Sequence, residues 1–140
     1  MIPDDVREWV VYSLSSKGFG DVLDITPVRM MPWSCVWRCK VSHHIFYVKF
    51  ITGDFKRELD ILPYLSEQYR NAVPEVIDLD LDKGLLLLRD SGITVREFLK
   101  TEFDLSVIEK IYQTYVSIQR SFQDKKKDLL LNGCPDWTPA

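Results

Sequence analysis

A single lysine lies inside an apolar run of the sequence, and few folds accommodate such a residue. Lys49 is surrounded by β-branched and aromatic residues at positions 45–51, a composition typical of a β-strand that packs against other elements. A lysine in that setting costs free energy unless its ammonium group meets a counter-charge or an anionic ligand. We therefore expect the fold to bring a negatively charged group close to Lys49.

Glu58 is the candidate counter-charge. It precedes Leu62 and Leu65 by four and seven positions, and at helical spacing it shares their apolar face and points toward the sheet. We expect Asp54 to cap this helix. We also expect Pro63 to kink or interrupt it, because proline lacks the N–H of the helical ladder.

The remaining pattern predicts an α+β fold. Apolar residues at positions 6, 9, 10 and 14 indicate a leading amphipathic helix that ends at Gly18. Residues 25–51 have the composition of three strands, and residues 73–90 that of a β-hairpin with its turn at 82–84. The continuous leucines at 85–88 predict a strand covered on both faces.

A helical region follows the predicted hairpin. Thr94 and Glu97 have the spacing of a capping box and open a short helix that extends to about Lys100. A long amphipathic helix follows, with apolar residues from Leu105 to Phe122, a basic end at Lys125–Lys127 and a stop signal at Asn132-Gly133. Its apolar face needs a partner, and left uncovered it would allow chains to associate.

Composition excludes several classes of function. The net charge of -3 provides no broad basic field, so nucleic acid is not an expected partner. No apolar run reaches the roughly 18–20 residues of a membrane span, and the acidic N-terminal segment does not resemble a signal peptide. The sequence predicts a soluble cytoplasmic protein without a membrane partner. Its three cysteines, at positions 35, 39 and 134, are expected to remain thiols.

Cys35, Cys39, His43 and His44 invite the hypothesis of a metal site. On an extended strand, however, residues four apart are separated by about 13 Å. One ion cannot bind both cysteines at that distance, so we expect buried thiols followed by a polar turn.

The order of these elements is that of a kinase N-terminal lobe: strand lysine, helix glutamate, then a hairpin that ends in an apolar strand and a glycine-containing crossover. In this order, over almost its whole length, the chain resembles the aminoglycoside phosphotransferase and choline-kinase superfamily. The segments that carry the resemblance are YVKF (47–50), FKRELDIL (55–62), VPEVIDLD (73–80), GLLLLRDSG (84–92) and GCPDWTP (133–139).

The resemblance implies a five-stranded antiparallel sheet with a packed helix and a hinge at its end, over residues 1–92. It implies the first two helices and a loop of a truncated second lobe over residues 93–140. Lys49 would hold the phosphates of ATP or GTP and Glu58 would orient it. The loop at residues 31–34 would lie over the phosphates, and it contains no glycine, as in the antibiotic-kinase branch. The residues implied in nucleotide binding are Lys49, Glu58, Ser34, Leu88, Arg89, Asp90 and Ser91, the last four as the hinge.

The catalytic segment of that superfamily has no counterpart in the sequence. These kinases use an His-x-Asp-x-x-x-x-Asn loop and a further aspartate to orient the hydroxyl and bind magnesium. Neither His43 nor His44 is followed by aspartate two residues later. We expect this chain to be inactive by itself, either as a fragment cut at the lobe boundary or as a naturally short relative. The full-length enzyme would be a transferase that moves the γ-phosphoryl of a nucleotide to a small-molecule hydroxyl with Mg²⁺.

Two alternatives remain open at this point. The ordinary role of a lysine and a glutamate is a solvated or structural ion pair, and the lobe would then be a non-catalytic module that binds a protein or a small ligand. Trp33 and Trp37 flank the loop over the phosphates; they would either stack on a base or belong to the core and its rim.

Overall fold

The protein is described by a computed structural model that covers residues 2–136, and the chain divides into two units between Asp90 and Ser91. The first unit combines helices with a β-sheet, and the second contains helices. The elements of the first unit are α1 (Asp4–Ser16), β1 (Asp24–Met31), β2 (Ser34–Val41), β3 (His44–Ile51), a 3₁₀ turn (Gly53–Lys56), α2 (Arg57–Gln68), β4 (Val76–Asp80) and β5 (Leu85–Arg89). Those of the second unit are α3 (Val95–Thr101), α4 (Leu105–Ser121) and α5 (Lys126–Leu131).

The five strands form one antiparallel sheet with the order β1-β2-β3-β5-β4. The predicted α+β class and the five-stranded antiparallel sheet are therefore confirmed. Two-residue turns join β1 to β2 and β2 to β3, and the hairpin of β4 and β5 adds to the free edge of β3 through β5. As a result β3, which carries Lys49, lies at the centre of the sheet.

The alternating side chains of β5 serve two different cores. Leu85 and Leu87 belong to the larger core, which includes the buried residues of α1, whereas Leu86 packs with Ile51 and Leu59 on the α2 face. All three leucines are fully buried. Since full burial of a leucine contributes on the order of 2 kcal/mol, this short strand is a major source of stability. The predicted coverage of both its faces is confirmed.

The leading helix ends as the sequence predicts. Gly18 has a φ of +78°, and its N–H donates to the Ser15 carbonyl while the N–H of Phe19 donates to the Leu14 carbonyl. These two bonds make a Schellman motif, which satisfies carbonyls that the helix end leaves without partners. The motif turns the chain so that Phe19 packs against the larger core.

The start and the continuity of α2 differ from what the sequence predicts. Asp54 does not cap the helix, because the 3₁₀ turn at Gly53–Lys56 runs directly into α2 and places Asp54 inside that turn. Pro63 does not interrupt α2, which continues through it to Gln68. The helix is held by tertiary packing, since Leu59 is buried against the sheet and the Ser66 hydroxyl accepts a bond from the Val76 N–H at 3.2 Å.

The second unit begins with the predicted capping box. The Thr94 hydroxyl accepts from the Glu97 N–H, and the Thr94 N–H and hydroxyl donate to the Glu97 carboxylate. These bonds hold the pKa of Glu97 below its usual value.

The helices after α3 agree with the prediction only in part. The predicted long helix corresponds to α4, whose apolar side chains are largely exposed, as at Tyr112 and Tyr115. The predicted basic end of that helix instead begins a separate short helix, α5. Lys126 of α5 forms an ion pair with Asp136 at 3.1 Å. Within residues 2–136, every helix is too short or too polar to cross a lipid bilayer.

Two glycines with the same backbone conformation make a matched test of the sheet. Gly84 and Gly18 have φ values of +75° and +78°, but a Cβ at Gly84 would collide with the Ile51 carbonyl oxygen, whereas one at Gly18 would meet open space. We expect Gly18→Ala to cost about 1–2 kcal/mol for the left-handed conformation. Gly84→Ala should cost about 1–3 kcal/mol more, because the turn must also move away from β3. Urea denaturation measures both, and equal losses would contradict the close approach.

The cysteines should differ in reactivity. Burial raises the pKa of the Cys39 thiol to about 12, whereas Cys35 and Cys134 are only partly buried. Since the thiolate is the nucleophile, we expect iodoacetamide at pH 8 to modify Cys39 of the native protein far more slowly than Cys134. Peptide mapping by mass spectrometry measures the rates, and in urea they should converge. Equal native rates would show that the larger core opens readily.

Candidate functional site

Lys49 and Glu58 form an ion pair. The Lys49 Nζ lies 2.5 Å from the Glu58 Oε2, so the predicted pairing of strand lysine and helix glutamate is confirmed. Their side chains retain 25% and 35% of their accessible surface. The pair is therefore partly shielded from water and partly accessible to it.

The strand register explains where the lysine points. Lys49 lies directly opposite Val36 of β2 and Leu86 of β5, and residues opposite each other in an antiparallel pair share one face of the sheet. On this face Ile51 and Leu86 are buried under α2. The aliphatic stem of Lys49 lies beside this core while the ammonium group reaches its margin, where Glu58 lies.

A cleft of about 290 Å³ opens over the pair. Four of the seven residues implied in nucleotide binding line it: Ser34, Lys49, Glu58 and Leu88. The other lining residues come from β1, the β1–β2 turn, β2, β3 and the 3₁₀ turn: Arg29, Met31, Trp33, Val36, Ile51 and Phe55. The cleft thus gathers residues from distant parts of the first unit.

Two aromatic rings form one wall of the cleft. Trp33 and Phe55 stack with their centroids 6.1 Å apart and an interplanar angle of 24°. The carbonyl of Trp33 accepts from the Thr52 N–H at 3.1 Å and from the Thr52 hydroxyl at 3.4 Å. These bonds tie the β1–β2 turn to the segment that follows β3 and hold the wall beside the ion pair.

The side chains of the predicted hinge residues Leu88 and Arg89 lie on opposite faces of the sheet. The Leu88 side chain lines the cleft, but the guanidinium of Arg89 lies over the rings of Phe19 and Phe46 on the opposite face of the sheet. The Arg89 Nε is also 2.5 Å from a carboxylate oxygen of Glu75.

Two backbone N–H groups of the predicted hinge already have hydrogen-bond partners. The N–H of Arg89 donates to the Glu75 carbonyl, and that of Asp90 donates to the Ile45 carbonyl. These two backbone N–H groups are therefore already used within the sheet and its edge. Neither Asp90 nor Ser91 lines the cleft of the first unit.

Arg29 is the charged residue of the cleft that the sequence did not single out. It lies directly opposite Val36, which in turn lies opposite Lys49, so all three share the α2 face. The sequence does contain a pattern that predicts this placement. A two-residue turn at positions 32–33 pairs Met31 with Ser34, and extending that ladder by two residues pairs Arg29 with Val36. A bulge between Pro27 and Arg29 makes the exposure of β1 irregular and hides this alternation.

The described residues do not form a magnesium site. Between residues 2 and 136, no three His, Cys, Asp or Glu side chains lie close enough together to hold a metal ion. Of the three charged residues that line the cleft, only Glu58 is an acid, and it is occupied by Lys49. The cleft suits an anionic ligand better than a cation.

The described residues also line two larger hollows outside this site. One is an open surface lined by residues of α1 alone, with a volume of about 570 Å³. The other, of about 520 Å³, lies where α2 ends and β4 begins. Neither contains a charged pair on an apolar sheet face, so the cleft at Lys49 remains the candidate site.

The sequence matches no protein-family model and no curated protein. What the cleft can bind follows from its own charges and shape. It offers an apolar floor, an aromatic wall and two cations, one of them paired.

The strength of the Lys49–Glu58 pair can be measured by a double-mutant cycle. We expect Lys49→Met and Glu58→Gln to be coupled by about 1 kcal/mol, because the pair is only partly exposed to water. The free energy of unfolding of wild type, both single variants and the double variant, from urea titrations at low salt, gives the coupling.

A second ion pair of the same unit supplies the control. Lys17 and Asp78 are 3.8 Å apart, with 40% and 31% of their side-chain surface exposed. We expect the corresponding cycle with Lys17→Met and Asp78→Asn to give a smaller coupling, within about 0.5 kcal/mol of zero. Strictly additive effects at positions 49 and 58 would mean that their contact contributes nothing to folding.

Proposed function

We propose that the cleft binds the phosphate groups of a nucleotide, and that the chain is the nucleotide-binding part of a small-molecule kinase of the aminoglycoside phosphotransferase and choline-kinase type. The observation that carries this proposal is the contact between Lys49 and Glu58 on the apolar α2 face of the sheet. In kinase-like lobes the same pair of residue types, on a central strand and on the helix packed over it, positions the lysine for phosphate oxygens.

The position of the pair favours ligand binding over a purely structural role. A structural pair gains most when it is buried and fully hydrogen-bonded, or costs least when it is fully exposed. Lys49 and Glu58 meet neither condition, because they lie at the margin of a core and in the wall of a cleft. An ammonium group with three donors can keep one on Glu58 and direct the others at an anion.

The size of the cleft supports a modest affinity. Sites for drug-sized ligands have volumes of roughly 300–1,000 Å³, and this cleft has about 290 Å³. It has room for the phosphates and part of the sugar. The base would extend past Leu88, at the end of β5. We therefore propose weak binding of ATP or GTP by the first unit.

Phosphoryl transfer is not proposed for this chain. The 140 residues contain no His-x-Asp loop, and the described residues provide no set of carboxylates that fits magnesium. In a kinase of this type a second lobe supplies these groups and the pocket for the hydroxyl acceptor. The role we assign to this chain is to bind and orient the nucleotide.

Nucleotide titration tests the proposal. We expect ATP or GTP, or a non-hydrolysable analogue at millimolar concentration, to raise the melting temperature of the wild-type chain, because a ligand that binds only the native state stabilises it. Lys49→Ala should abolish the shift relative to its own ligand-free melting temperature. Differential scanning fluorimetry measures the shift, and isothermal titration calorimetry gives the dissociation constant.

Lys40→Ala is the matched control. Lys40 is an exposed strand lysine on β2, directly opposite Ile45 of β3, and it does not line the cleft. It should keep the full shift. No shift in wild type, or an equal shift in Lys49→Ala, would reject the proposal and favour a module that binds a different ligand or a protein.

A further inference from the structure

We propose that Arg29 is a second phosphate-binding residue of the cleft, and that its ligand is a polyphosphate bound without a metal ion. The inference rests on the proposed function for the nucleoside part of the ligand. It adds that the charge of the polyphosphate is met by Arg29 and Lys49 of β1 and β3. The residue is unremarkable in the sequence; its role follows from the sheet register.

The charges of the cleft single out Arg29. Three charged residues line it: Arg29, Lys49 and Glu58. Lys49 and Glu58 neutralise each other at 2.5 Å, so Arg29 supplies the net positive charge. Among the described residues, Arg29 makes no ion pair. Without it, a polyanion would enter a cleft with no net attraction.

The geometry allows both cations to contact one ligand. Arg29, Val36 and Lys49 lie in a row across three neighbouring strands, which places the backbones of Arg29 and Lys49 roughly 10 Å apart. Both side chains project from the same face, above the small apolar side chain of Val36. A chain of two or three phosphates fits between them, with the forked guanidinium on one phosphate and the ammonium on the next.

The partners available in the cleft also indicate the form of the ligand. A nucleoside polyphosphate usually reaches a protein with magnesium, which needs carboxylate ligands and water. Glu58, the acid of this cleft, is held by Lys49. The Arg29 guanidinium and the remaining N–H donors of Lys49 can instead bind the phosphate oxygens directly. The metal-free anion is therefore the form that this cleft recognises.

Titration of the full chain in the presence of EDTA tests this inference. The probes are ADP, which carries a nucleoside, and inorganic tripolyphosphate, which is the anion alone. We expect wild type to bind both, and Arg29→Gln to bind both about tenfold more weakly, as expected for the loss of a charge-assisted hydrogen bond. Raising the salt concentration should weaken binding to wild type more than to Arg29→Gln.

Matched variants control for charge and folding. Arg70→Gln removes the same charge from an exposed position of the same unit that does not line the cleft, and it should bind like wild type. Arg29→Lys keeps the charge but loses the fork, and it should recover part of the affinity. Arg29 is exposed on an edge strand, so circular dichroism and melting temperature should be unchanged in both Arg29 variants.

The two proposals fail in different ways. If Arg29→Gln binds ADP as wild type does while Lys49→Ala does not, Arg29 has no role and the nucleotide proposal stands. If tripolyphosphate binding depends on Arg29 but ADP binds no better than the inorganic anion, the polyphosphate site stands and the nucleotide proposal fails. If wild type binds neither probe at millimolar concentration, both are overturned. Binding that requires magnesium would reject the metal-free form.

Discussion

The candidate site depends on the contact between Lys49 and Glu58. This contact joins the central strand of the sheet to the helix packed on it, and it does so where the α2-face core meets water. An ammonium group on an apolar face is tolerated there because a carboxylate lies 2.5 Å away. Arg29, Val36 and Lys49 form a row on the same face and line the cleft.

Features set by short-range chemistry were predictable from the sequence. The capping box at Thr94 and the left-handed glycine at Gly18 each depend on a few neighbouring residues, and both are present in the structure. The two-sided burial of β5 was also readable, since four consecutive leucines leave no polar face. The Lys49–Glu58 pair followed from a lysine inside an apolar strand and a glutamate that shares the apolar face of α2.

Features decided by contacts between distant segments were not predictable in the same way. Asp54 has the chemistry of a helix cap, but the 3₁₀ turn before α2 leaves it no exposed helix end to serve. Pro63 should weaken α2, yet burial of Leu59 and the bond from Val76 to Ser66 hold the helix against the sheet. The sequence did not identify Arg29 because its place in the cleft depends on the register of three strands. A bulge in β1 also disturbs the alternation of exposed and buried residues.

Alternate leucines of β5 face opposite sides of the sheet, and this affects how the sequence of such a protein can diverge. Leu85 and Leu87 face the core beneath α1, whereas Leu86 and Leu88 face the side that contains the cleft. Substitutions at the first two positions change the packing of this core, where both leucines are fully buried. Substitutions at Leu88 would change the lining of the cleft, and those at Leu86 would change the packing beneath α2 beside it. The shape of the candidate site could therefore diverge through alternate positions of one strand while the core on the opposite face stays unchanged.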